Sequence, residues 1–222
     1  MWAADGGQVI VLVEAFLGNG LGLPMLQREH AERRSVMVRS GTADVHVAIT
    51  FAAYNVGPCR NLDEDKLCRI YERRPLVCRI YPAEINPHIP LNPAAKDCPP
   101  ESWEQGPLLI AGSELVDQEL IELIQRSRQA DRDDIQRKDA ICALLGIRTT
   151  ALKGDGFTAY LPNMSAFAAM IDQVSEQPST TASSEWLFHL SGEDVAEQVM
   201  AAGAQVVTEP AQTYAFISLR AA

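Results

Sequence analysis

The sequence has no long apolar run. Across its 222 residues, no stretch approaches the roughly 20 consecutive apolar residues that a bilayer-spanning helix needs. The most apolar early segment, Gln8–Leu17, follows Asp5 and is interrupted by Glu14. The start also lacks the positive charge and the small-residue cleavage site of a signal peptide. We therefore expect a cytoplasmic protein with no membrane contact.

Positive charge is scarce as well. The chain carries 19 Lys and Arg against 29 Asp and Glu, which gives a formal net charge of −10. Nonspecific nucleic-acid binding needs basic residues that displace counterions from phosphates, so no nucleic-acid partner is expected. Hydrophobic residues make up 47% and charged residues 22%, so the chain has enough apolar material for a globular core.

Signatures of common catalytic sites are also missing. The glycine-rich stretch Gly18-Asn-Gly-Leu-Gly22 lacks GxGxxG spacing, and Pro24 interrupts the place where a nucleotide-binding helix would begin. No serine-centred nucleophile motif, pair of catalytic carboxylates or internal repeat stands out. The sequence therefore leaves the catalytic residues unknown and the question of an enzymatic activity open.

Local patterns predict an α+β fold. Runs of β-branched residues indicate strands, and apolar residues at helical spacing indicate helices. The predicted strands are 9–13, 35–38, 45–51, 205–208 and 213–219, the last two as a hairpin. The predicted helices are 63–72, 113–145 with a break near 130–134 and a stop at Gly146, 164–174 and 192–202. Residues 27–34 are predicted to be a short helix or a loop, and 179–184 a polar linker.

These patterns suggest two regions. The first, 1–148, is predicted to hold an N-terminal sheet, a loop-rich knuckle at 58–100 that contains four cysteines, and helices at about 113–146. The second, 149–222, is predicted to be a small acidic α/β tail, since it holds eight Asp or Glu against Lys153 and Arg220.

Four of the five cysteines lie in the proline-rich segment 58–100. Cys59, Cys68, Cys78 and Cys98 are separated by eight, nine and nineteen residues, without the CxxC pairs of a zinc ribbon, so spacing alone is a weak metal signal. Four thiolates would still complete a tetrahedral zinc site or hold an iron–sulfur cluster.

The charge around these cysteines is locally positive. Residues 58–82 hold six Arg or Lys and four Asp or Glu, a net of +2, and nearby guanidinium groups favour thiolate over thiol. The alternative is that the arginines form a solvated face and the cysteines are small buried hydrophobes. The residues alone leave both interpretations open.

A motif within this segment resembles a known family. The matching residues are Cys68-Arg-Ile-Tyr71, Arg74-Pro75, Cys78-Arg79 and Tyr81-Pro82, flanked by Cys59 and Cys98. They are similar to the YkgJ-type zinc- or iron-chelating cysteine-cluster family, also called the CxxCxxCC family, which includes the flagellin lysine N-methylases. The resemblance covers about forty residues and implies that the four cysteines bind zinc, iron or an iron–sulfur cluster.

The resemblance also implies roles for the neighbouring residues. Arg74, Pro75 and Arg79 would shape the loop and donate hydrogen bonds around the sulfurs, as residues behind metal ligands commonly do. Tyr71 and Tyr81 would pack against the site and shield it, with ordinary core packing as the alternative.

The sequence departs from the family in one respect. The CxxCxxCC cluster normally lies upstream of this motif, and here no cysteine precedes Cys59. Either that cluster lies outside this sequence, or the chain is a divergent member with a single four-cysteine site. Cys142 lies in a helical pattern and is predicted to be a core cysteine. His88, between Cys78 and Cys98, is the histidine that would replace or join a ligand.

Three functions are compatible with these residues. The first is a metal-binding protein of unassigned reaction. The second, implied by the resemblance, is an iron–sulfur-dependent protein-lysine N-methylase. The third is a structural zinc protein that acts through protein contacts. Each implies an unidentified protein partner or protein substrate.

Overall fold

The structure, a computed structural model, describes residues 6–104, 106–112, 114–176, 185–207, 209 and 211–220. The chain packs as two units. The sheet unit comprises Met1–Arg60 and Asp134–Ala222, and the insert unit comprises Asn61–Asp133. This division does not coincide with the sequence-based boundary at residue 148, because the C-terminal strands pair with the first strand of the chain.

The described residues contain nine strands and six α-helices, which confirms the predicted α+β class. The strands are β1 (Gln8–Leu17), β2 (Val36–Ser40), β3 (Ala43–Tyr54), β4 (Ile110–Ala111), β5 (Glu114–Leu115), β6 (Thr149–Leu152), β7 (Gly156–Tyr160), β8 (Leu187–His189) and β9 (Ala215–Ser218). The helices are α1 (Arg28–Glu32), α2 (Leu76–Ile80), α3 (Gln118–Asp133), α4 (Ile135–Leu144), α5 (Met164–Glu176) and α6 (Glu193–Ala201).

Strand β1 organises the sheet unit. It pairs antiparallel with β3 along its whole length, from Gln8 opposite Tyr54 to Leu17 opposite Val45. Its other edge is shared: β7 pairs antiparallel with Val11–Val13, and β6 pairs parallel with the next residues, Glu14 and Ala15. β2 extends the sheet beyond β3, β8 pairs with β6, and β9 pairs with β7.

The core of the sheet unit follows the alternation of β-branched residues in β1. Val9, Val11 and Val13 are buried, whereas the residues between them are partly exposed, as expected for a strand with one face on the core. Trp186 and Phe188 are fully buried in the same cluster.

The insert unit has a separate, smaller core. Ile80 from α2 packs with Leu120, Leu123 and Ile124, which lie on one face of α3. The Arg128 side chain from the same helix donates from Nε to the carbonyl of Ile85 at 2.7 Å, which ties the following loop to α3.

Most predicted elements match the structure, although the helix predicted from residue 113 begins only at Gln118, because Glu114–Leu115 forms strand β5. Two further predictions are wrong. Residues 63–72 form no α-helix, and the C-terminal hairpin is wrong because β9 pairs with β7 while Val206 bridges Phe188. The predicted linker 179–184 lies outside the described residues. No helix among the described residues is long and apolar enough to cross a membrane.

Candidate metal centre

The four predicted ligand cysteines lie in irregular segments and one short helix. Cys59 is exposed and belongs to the sheet unit. Cys78 is exposed in the insert unit, where Cys68 and Cys98 are half-buried. None of the four forms a disulfide, so the chemistry of the donor set fits zinc or iron.

The chemistry of these side chains suits a metal, but their positions do not form an assembled site. Within the described ranges, no group of three or more His, Cys, Asp or Glu side chains is placed to hold a metal ion. The four-cysteine ligand set, with His88 as a possible replacement, stays a prediction. His88 is exposed, and its backbone N–H donates to the Asn86 carboxamide oxygen at 2.9 Å.

A turn rather than a helix positions Cys68. The Asp63 carboxylate accepts the Leu67 N–H at 2.8 Å, and the backbone N–H of Lys66 donates to the Asp63 carbonyl. Lys66 itself adopts a left-handed conformation with φ of 62°. The closed turn allows Cys68 to bridge back to Leu62, which explains why the predicted helix at 63–72 is absent.

The short helix α2 positions Cys78. Pro75, with φ of −54° and ψ of 152°, stands at the N-cap position and starts the helix. Ile80 is buried in the insert core and Leu76, four residues earlier, packs against the same core. Cys78 lies midway between them and therefore on the opposite, exposed face.

The predicted neighbours Tyr71, Arg74 and Arg79 make contacts at the surface. The Arg74 guanidinium lies 3.6 Å from the centroid of the Tyr71 ring, and its Nε donates to the Tyr71 carbonyl at 3.0 Å. Arg79 pairs with Glu119 of α3 at 3.3 Å. The structure thus gives these arginines a ring and a carboxylate as partners.

Tyr81 connects two segments that carry cysteines. Its hydroxyl oxygen accepts the backbone N–H of Asp97 at 3.0 Å, directly before Cys98. The Lys96 ammonium lies 5.7 Å from the Tyr81 ring centroid and pairs with the Glu84 carboxylate. Sequence reasoning missed Glu84, Lys96 and Asp97, because nothing local marks two opposite charges twelve residues apart as partners.

A cavity of about 490 Å³ opens beside Cys98. Its walls combine apolar residues with two carboxylates, and among the described lining residues there is no Lys or Arg. The lining residues are Pro82, Cys98, Ser102, Trp103, Glu104, Gly106, Pro107, Leu108, Leu109 and Asp117. This cavity is not predictable from the sequence, since its lining residues come from separate segments of the chain.

The fifth cysteine is confirmed as a core residue. Cys142 on α4 is fully buried, and burial raises the pKa of its thiol to about 12. A thiol that is neutral at physiological pH and screened from solvent is a poor metal ligand.

Comparison with known proteins addresses the cysteine segment. The family model described as "CxxCxxCC: Putative zinc- or iron-chelating domain" matches residues 25–99, a range that includes all four predicted ligand cysteines. No curated protein and no solved structure matches the chain. Residues 25–99 therefore match the CxxCxxCC zinc- or iron-chelating domain family, the same family that the motif residues indicated.

Proposed function

We propose that the chain binds zinc or iron through Cys59, Cys68, Cys78 and Cys98. The observation that carries this proposal is the family match over residues 25–99, which encloses the four cysteines and whose description names both metals. The absence of a disulfide at these four cysteines supports it, because each sulfur can then act as a thiolate ligand.

In the described residues, no three metal-binding side chains lie close enough together to hold an ion. Metal binding to such ligands must draw them together, and the free energy of binding then stabilises the bound arrangement. Binding should therefore increase the thermal stability of the insert unit, which has only a small apolar core.

The first experiment is elemental analysis of protein purified without oxygen and without added metal. Metal and acid-labile sulfide are quantified per chain. Zinc at about one per chain without sulfide indicates a closed thiolate site, and iron with sulfide indicates an iron–sulfur cluster. A chain that retains neither metal after verified anaerobic handling refutes the proposal.

Single alanine variants test the ligand assignment. Cys68→Ala and Cys78→Ala should each abolish metal retention, since a tetrahedral site loses one of its four ligands. Cys142→Ala is the matched control, because its thiol lies in the core of the sheet unit and should leave the metal content unchanged. Loss of metal in Cys142→Ala but not in Cys78→Ala would overturn the assignment.

Cys59 is tested separately. It is the one predicted ligand that lies outside the insert unit, so its contribution cannot be inferred from the other three. Cys59→Ala should lower the metal content as Cys78→Ala does. If Cys59→Ala keeps its metal and the other variants lose it, the fourth ligand is another group, and His88→Ala becomes the next variant.

A further inference from the structure

The structure links Cys78 and Cys98 through a set of contacts at the base of the proline-rich loop. Nineteen residues separate the two cysteines, and the intervening chain contains four prolines, at 82, 87, 90 and 93. No β-pairing joins the two ends of this loop in the described residues. Side-chain contacts must therefore hold its ends.

The first contact is the hydrogen bond of Tyr81. The residue follows α2 directly, and its backbone N–H continues the helix by donating to the Val77 carbonyl at 3.1 Å. Its phenolic oxygen accepts the Asp97 N–H at 3.0 Å. The hydroxyl thus reaches across the loop to the residue before Cys98.

The second contact is the ion pair between Glu84 and Lys96. The two side chains are largely buried, with 27% of Glu84 and 13% of Lys96 exposed. The Lys96 ammonium also lies above the Tyr81 ring, 5.7 Å from its centroid. A desolvated pair of this kind is held more firmly than an exposed one, and cation–π attraction adds to it.

Both contacts restrict the position of Cys98 relative to the core of the insert unit. Ile80, next to Tyr81, is 1% exposed and belongs to that core, so the Tyr81 backbone is fixed from one side. Residues 96 and 97 are then fixed against Tyr81 and Glu84. Because Cys98 directly follows Asp97 in the chain, the same contacts restrict the position of its backbone.

We propose that Tyr81 is a positioning residue for Cys98, acting through its hydroxyl, and that the Glu84–Lys96 pair supports it. Tyr81, Glu84, Lys96 and Asp97 together form what we call the loop clamp. The relevance of the loop clamp to metal binding rests on the proposed function, whereas its existence is a property of the metal-free chain.

The test uses the full-length chain, stripped of metal with a chelator and kept reduced. Tyr81→Phe removes the acceptor oxygen and keeps the ring. Tyr54→Phe is the matched control: it makes the same chemical change on an exposed tyrosine at the end of β3, in the sheet unit. The readouts are amide hydrogen exchange at Asp97 and the iodoacetamide alkylation rate of each cysteine, resolved by mass spectrometry.

Tyr81→Phe should raise exchange at the Asp97 amide about fivefold, the factor expected from the loss of one hydrogen bond. Alkylation of half-buried Cys98 should rise by a similar factor, while Cys59 reacts at an unchanged rate. Tyr54→Phe should alter none of these values. Wild-type rates at both Asp97 and Cys98 in Tyr81→Phe would overturn the proposal, as would equal effects of the two variants.

A variant that unfolds does not leave the question open. If Tyr81→Phe loses the helical circular dichroism signal, Glu84→Gln is measured instead, because it breaks the ion pair and retains the tyrosine hydroxyl. Faster Cys98 alkylation in folded Glu84→Gln supports the loop clamp, and an unchanged rate refutes it.

A metal titration of the same proteins separates the two proposals. Zinc competition with a chromophoric chelator should show about fivefold weaker binding in Tyr81→Phe and no change in Tyr54→Phe. If the wild-type chain binds neither zinc nor iron, the proposed function is refuted. The alkylation result, which is measured on metal-free protein, is unaffected. If Tyr81→Phe shows normal zinc affinity together with faster Cys98 alkylation, the loop clamp positions Cys98 but has no role in metal binding.

Discussion

Selective alkylation should distinguish Cys142 from every other cysteine of the metal-free chain. Cys142 is 0% exposed on α4, and its neighbours in the core cluster include Ala140 and Ile141. Because the thiolate is the reacting species, both burial and the raised pKa protect it. We expect native protein treated with iodoacetamide to carry up to four labels and to leave Cys142 unmodified.

The size of this protection follows from the pKa. At about pH 8, a thiol with the ordinary pKa of 9.0 is roughly one-tenth thiolate, whereas a pKa of about 12 leaves about one part in ten thousand. The thiolate fraction of Cys142 is therefore about a thousandfold below that of an ordinary thiol, an effect only partly offset by the greater nucleophilicity of a thiolate of higher pKa. Exclusion of the reagent from the core adds to that factor, so labelling requires opening of the sheet unit.

The assay is a time course of labelling followed by mass spectrometry of each cysteine peptide. A parallel sample in denaturant is the control, since all five thiols should react at similar rates there. Labelling of Cys142 in native protein at the rate of exposed Cys78 would refute the reasoning. It would show that α4 does not pack as the structure describes.

Two further predictions concern the stability of the sheet unit. Burial lowers the pKa of His46 below its ordinary value of 6.5, and burial does the same for His189, so the unfolded state takes up more protons below that pH. The melting temperature should therefore fall as pH drops from 7.5 through 6.5 towards 5 and fall less in His46→Gln; a pH-independent melting temperature in the wild type would contradict this. Gly203→Ala should lower the free energy of unfolding more than Gly154→Ala in chemical denaturation. Both glycines have positive φ, which costs about 1–2 kcal/mol for alanine at either position. Of the two, Gly203 is the position where the new Cβ would also overlap the Thr42 hydroxyl. Equal losses would mean that Thr42 moves aside freely.

The elements predicted correctly are those whose residues carry their own pattern. β1 and β3 alternate β-branched residues towards the core, and the break between α3 and α4 falls at Asp134 as the polar stretch indicated. The positive φ of 69° at Gly146 matches its predicted role as a helix stop.

The wrong predictions concern residues whose structure depends on distant or competing partners. Asp63 suits a helix start, but its carboxylate closes a turn with Leu67, and acidic residues serve both purposes equally well. The terminal strand β9 pairs with β7, which lies about sixty residues earlier in the chain, and no residue near β9 indicates this partner. Sheet partners chosen at such separation leave no local signal.

The candidate site was partly predictable for the same reason. The cysteines are visible in the sequence because their residue type carries the chemistry, and the family match includes them. The contacts around them are not visible. Glu84 and Lys96 are ordinary surface residue types, and only the folded loop shows that they form a largely buried pair.

The shared edge of β1 has a consequence for the order in which the protein is made. Main-chain groups of Val11–Ala15 find their partners on β6 and β7, which follow well over a hundred residues later in the chain. A ribosome releases the whole of the insert unit, which is continuous in sequence, before those partners emerge. Residues 61–133 are therefore all available for folding while the strands that complete the sheet are still being synthesised.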